Sequence, residues 1–278
     1  MIALALLLAA ADPSCVPVVG AAPVLADPRT TWLFVGETHG TAETPAIFGD
    51  LVCAASLERK VVVAIEQNPD EQPAIDAYLA SDGGDVARAT FLRARIWTNR
   101  LKDGRSSQAM LALIERLRLL KASGRIAGVR GFQALGDERA GENYDARINR
   151  GMADQLTRIA ADNPSALVIV LTGSVHASKD SIDFGGGAIV PAAARLPAAR
   201  TVSILAEGDG GTAWICGSLE SCGPTPWQSN ARGPRGLVVK SRPLIDGRKQ
   251  GGKFDGTVDV GVPFTASPPA VPLPEPAK

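Results

Sequence analysis

The chain is poor in histidine, with two in 278 residues, His39 and His176. Any imidazole chemistry must pass through one or both of them. Net charge is also missing: Lys plus Arg and Asp plus Glu each total 29. That removes the broad field on which nucleic-acid or anionic-membrane binding relies. No Cys-x-x-Cys occurs, so a structural zinc knot is not expected. Neither a Gly-x-Gly-x-x-Gly strand–helix turn nor a Walker sequence is present, which leaves nucleotide binding without a signature. The absence of a Gly-x-Ser-x-Gly elbow disfavours a serine-esterase mechanism. There is no internal repeat.

The apolar run Met1–Ala11 is too short to span a bilayer. It ends in small residues followed by Asp12-Pro13 and reads as a secretory signal, although no Lys or Arg precedes it. The expected location is therefore the periplasm or the exterior. No lipobox-like Leu-Ala-Gly precedes Cys15, so a lipoprotein is not predicted. Four cysteines in an exported chain allow two disulfides. Cys216 and Cys222 flank a short turn and are expected to pair, which leaves Cys15 for Cys53.

Two stretches share one grammar. Trp32-Leu33-Phe34-Val35 is an apolar run ending in Gly36-Glu37-Thr38-His39-Gly40, and Ala166–Leu171 runs into Gly173-Ser174-Val175-His176. Each reads as a buried strand, then glycine, then histidine. Residues i and i+2 of an extended segment point to the same side, so Glu37 and His39 emerge together. A third apolar run, Lys60–Glu66, also ends in a carboxylate.

Strands and helices alternate from Trp32 to Ala206. Helices are predicted over 43–57, 69–79, 108–123 and 138–161, the last two with apolar residues at three- and four-residue spacing. The pattern predicts an α/β fold, a mostly parallel sheet with helices on both faces. Past about residue 208 glycine and proline become dense, with short strand candidates at 212–216, 236–239 and 257–260. The expected organisation is a signal over 1–11, one domain over 12–264 with an irregular Gly/Pro-rich extension, and an unstructured tail over 265–278.

In such sheets, sites lie beyond the carboxyl ends of the strands. Glu37, His39, Glu66 and His176 all fall there and are the candidate site residues. Two imidazoles and two carboxylates support two chemistries. A histidine oriented by a carboxylate can act as general base toward water, or the four side chains can hold a divalent transition metal that acidifies bound water. The arginines between Arg88 and Arg105 read as a solvated face, and Asp137 and Glu138 as helix caps. The expected partner is a small-molecule or peptide substrate, without nucleic acid.

The Gly36-Glu37-Thr38-His39-Gly40 element followed by Glu43 resembles the first motif of the erythromycin esterase, ChaN-like and Tiki superfamily. The strand ending in Glu66, the helix carrying Met152-Ala153, and Gly173-Ser174-Val175-His176-Ala177 resemble its later motifs in order, over roughly Thr31 to Ala177. Phe254-Asp255 resembles a late family segment. The resemblance implies a hydrolase of ester or amide bonds, with His39 as base in the esterases and a metal in Tiki-like members. For ChaN-like members it implies haem binding, with His39 and His176 as ligands. The order Arg147-Ile148-Asn149-Arg150 departs from the usual Arg-Asp or Arg-Asn pair before the Met-Ala step. The chain also lacks room for the helical lid of the esterases, so macrolide hydrolysis is not implied.

Overall fold

The computed structural model describes residues 15–183, 187–218, 221–228, 234–239 and 253–272. The predicted signal and the glycines at 185 and 186 lie outside them.

In chain order the elements begin with α1 (Ala22–Leu25), β1 (Trp32–Glu37), α2 (Glu43–Glu58), β2 (Val61–Ile65), α3 (Gln72–Leu79), α4 (Asp85–Phe91) and α5 (Arg95–Thr98). They continue with α6 (Gln108–Ala122), β3 (Gly128–Gly131), α7 (Tyr144–Asp162), β4 (Leu167–Gly173) and α8 (Ser174–Ala177). Then come β5 (Ile182–Asp183), β6 (Ala188–Ile189), β7 (Thr201–Glu207), β8 (Thr212–Ser218), β9 (Ser221–Pro226), β10 (Gly236–Val239) and β11 (Gly256–Asp259). Seven strands form one sheet in the order β10-β11-β7-β1-β4-β2-β3. Every pairing in it is parallel except β10 with β11.

The sheet is buried on both faces, which is why its central strands are continuous apolar runs. Leu33, Val35, Val63, Ile65, Ile169 and Leu171 point into a core shared with α2, α3 and α6. Their neighbours Phe34, Val62, Ala64, Val168 and Val170 point the other way, onto Met152, Leu156 and Ile159 of α7. The α/β fold with helices on both faces is thus as the sequence predicts. Both expected disulfides are formed, Cys15–Cys53 and Cys216–Cys222.

Two expectations, the start of α7 and the unstructured tail, need correction. Helix α7 begins at Tyr144 rather than at 138, because Asn143 caps it, its Oδ1 accepting the Ala146 N–H at 2.8 Å. Past residue 208 the strand candidate at 257–260 corresponds to β11, which extends the main sheet by pairing with β7. The tail is ordered at least through residue 272; only 273–278 lie outside the described residues. Proline lacks a donor but keeps its carbonyl, and the tail uses that at helix starts, where N–H groups have no partner within the helix. Pro268 O accepts from Gln108 N at 2.8 Å, Ser267 Oγ from Ala109 N at 3.0 Å, and Thr265 O from Ala42 N at 2.8 Å.

That strap also fixes the loop after β1. Gly40 O accepts from Ser267 N at 2.8 Å and from Trp214 N of β8 at 2.9 Å. Gly40 has φ +84°, and a Cβ there would lie 2.2 Å from Trp214 O, so the close clamp requires glycine.

Candidate active site

Strands β1, β4 and β2 are adjacent, and Glu37 lies level with Gly173 in the register. Their carboxyl ends therefore bring Glu37, His39, Glu66 and His176 to one rim, as the sequence pattern anticipates.

Glu66 is the hub, and it is buried at 5% exposure. Its Oε2 accepts from Thr172 Oγ1 at 2.6 Å and from Gly173 N at 2.7 Å. Its Oε1 accepts from Arg105 Nη1 and Gln133 Nε2, both at 3.3 Å. His39 Nε2 lies 3.5 Å from Oε2, and His176 Nε2 lies 3.8 Å from Oε1. Burial opposes the carboxylate charge, but the charge of His39, its hydrogen bond, and the charges of His176 and Arg105 outweigh it, holding the Glu66 pKa far below normal. Such a carboxylate is a poor proton acceptor and a strong electrostatic anchor.

The two histidines meet opposite surroundings. His39 Nδ1 sits 2.8 Å from Glu37 Oε1 while Nε2 faces Glu66, placing the ring between two carboxylates. Burial disfavours its charge, yet Glu66 and Glu37 win and push its pKa up to about 10. His39 is accordingly an imidazolium at neutral pH, with both ring nitrogens donating.

His176 sits on the α8 turn beyond β4. Its Nδ1 is 2.8 Å from Asn149 Oδ1. The Asn149 amide has one possible orientation, because Oδ1 also accepts from Ala192 N at 3.0 Å while Nδ2 donates to Asp145 O at 2.8 Å. An acceptor facing Nδ1 places the hydrogen there, so neutral His176 carries its lone pair on Nε2. Burial lowers the His176 pKa; Glu66 opposes this, and His39 and Arg105 reinforce it. An imidazole biased toward the neutral form and one biased toward the imidazolium thus flank one carboxylate.

Reasoning from sequence missed Arg105, Gln133 and Asn149. Arg105 falls in the stretch expected to form a solvated face, whereas its guanidinium bonds Asp103 and Glu66. Asp137 and Glu138 do not cap α7, whose cap is Asn143. A signal for Asn149 does exist: it stands three residues before Met152 on the buried side of α7, at 1% exposure, a polar residue in an apolar stripe.

The arrangement does not suit a metal. Both Glu66 oxygens are taken by donors, and the permanent cation Arg105 stands 3.3 Å from one of them. Among the described residues no group of three or more His, Cys, Asp or Glu side chains is arranged to hold an ion. Haem fits no better, because each Nδ1 is engaged, by Glu37 or Asn149, and each Nε2 has a Glu66 oxygen within 3.8 Å where an axial iron would have to sit.

An α/β protein with its polar site on the rim of a parallel sheet is the class that fold and site define. Among solved structures, an erythromycin esterase mutant (EreC, in its open conformation) superposes with a TM-score of 0.63 at 12% identity, over 90% of this chain and 94% of that one. A succinoglycan biosynthesis protein gives 0.58 at 12% identity, over 76% and 74%. A Bacillus cereus protein gives 0.57 at 10% identity, over 89% and 92%. The chain therefore has the erythromycin esterase-like fold. No family model and no curated protein sequence matches it.

Proposed function

We propose that the protein is an exported hydrolase of ester or amide bonds. What carries the reading is the pair of histidines biased to opposite protonation states around one buried carboxylate. Such a pair supplies the base and the acid that hydrolysis at neutral pH requires. Water adds to the carbonyl carbon as its proton passes to His176 Nε2. The C–O or C–N bond then breaks, and the leaving oxygen or nitrogen takes a proton from the His39 imidazolium. Glu37 and Glu66 keep His39 charged, and Asn149 keeps the His176 lone pair on Nε2. The likeness to esterases gives the base role to a histidine in the position of His39; the charge around that ring argues for His176 instead. Export is supported by the two disulfides, which persist in oxidising compartments. No described helix is long and apolar enough to cross a membrane.

The test is a screen of esters and amides with purified full-length protein. The expected result is turnover that falls 10²- to 10⁴-fold in His176→Ala. Turnover that is absent, or unchanged in that variant, counts against the reading.

A further inference from the structure

Two recesses open on either flank of the histidines, and they differ in chemistry. On the β7 side a groove of about 370 Å³ is lined by apolar side chains, Val175, Leu205, Trp227 and Phe254 among them, and by the polar Glu207, Gln228 and Lys253. Its wall includes Thr38, between Glu37 and His39, and Ser174, two residues before His176. On the β3 side a smaller pocket of about 120 Å³ is lined by Asn68, Arg95, Asn99 and Gln133, together with Arg105. Gln133 and Arg105 both contact Glu66, so this pocket adjoins the same carboxylate.

Trp227 is 36% exposed. An indole left partly exposed in the wall of a groove gains contact area when a ligand covers it. Thr38 and Ser174 are chain neighbours of Glu37, His39 and His176, so the groove adjoins the rim that carries both histidines. The opposite pocket offers carboxamides, the guanidinium groups of Arg95 and Arg105, and the carboxylates of Glu71 and Asp103, a set that suits hydroxyl or carbonyl groups.

We propose that the groove is a specificity subsite for an aromatic or branched aliphatic group attached on one side of the scissile carbonyl, the hydrogen-bonding remainder of the substrate lying on the Arg95 side. The proposal rests on the hydrolase reading and deepens it by naming the substrate class. Binding energy gained remotely in the groove is available to hold the carbonyl against His176 Nε2.

Three esters discriminate: methyl acetate, methyl 3-phenylpropanoate with its ring on the acyl side, and benzyl acetate with its ring on the alcohol side. Acid release by the full-length protein gives kcat/KM for each. One ring-bearing ester is expected to exceed methyl acetate by at least about tenfold, and Trp227→Ala to remove most of that preference. Turnover dependent on His176 with no ring preference, or with a preference unchanged in Trp227→Ala, overturns the subsite and leaves the hydrolase reading standing. If no ester is hydrolysed, titration with 3-phenylpropanamide followed by tryptophan emission decides the subsite separately. A saturable shift lost in Trp227→Phe supports it, and the absence of a shift overturns it.

Discussion

The two histidine loops have the same wording in the sequence and opposite electrostatics in the fold. Each follows a buried parallel strand and a glycine. Yet His39 sits between two carboxylates, while His176 rests on a neutral amide. The group that touches Nδ1 therefore decides what an imidazole does. An acidic partner stores a proton on the ring, whereas a carboxamide fixes the tautomer without adding charge.

The largest expected effect separates the rings by substitution. His176→Gln removes the base and should lower turnover 10²- to 10⁴-fold, whereas His39→Gln keeps a donor and should lose less. Equal losses in steady-state assays would erase the contrast. Next comes Asn149→Asp, which turns the amide into a second carboxylate vice. An opposite charge in contact stabilises imidazolium by about 1–3 pKa units, so the acid limb of the pH–rate profile should move upward by about that much. A profile that only drops in height would mean that Asn149 serves packing alone.

Smaller effects fall on stability. Thr172→Val leaves one oxygen of the buried Glu66 short of a donor and should cost about 1–3 kcal/mol, read by urea unfolding. The pH dependence is the mildest test. His39 is raised from 6.5 to about 10, so the folded state holds an extra proton between those values. Its contribution is complete below about 6.5 and fades as pH climbs toward 10. Melting temperature should therefore decline across that window, and the decline should flatten in Glu37→Gln. An identical slope in both proteins would remove the charge from His39.

The architecture was legible because the central strands are buried on both faces, which writes them as uninterrupted Val, Ile and Leu runs. The four strand-end residues were legible for a related reason: a parallel sheet sends successive strands out at the same edge, so position along the chain converts directly into shared location. What escaped was set by long-range pairing. Nothing local says that Arg105, in a turn beside Asp103, will find Glu66 across the site. The proline-rich strap escapes a reading of composition because its order comes from carbonyls that accept N–H groups at the starts of two helices, and composition records side chains, not acceptors. The late start of α7 was missed because Asn143 outcompetes Asp137 and Glu138 as its cap.

The strap has a consequence for assembly. Position 267 is translated long after position 39, yet its amide clamps the turn that holds the first imidazole. A growing chain therefore carries both histidines well before it can seat one of them. The histidine rim is completed by a segment made much later than the loops it holds, and proteolytic removal of that segment should abolish any turnover while leaving the β-sheet core folded.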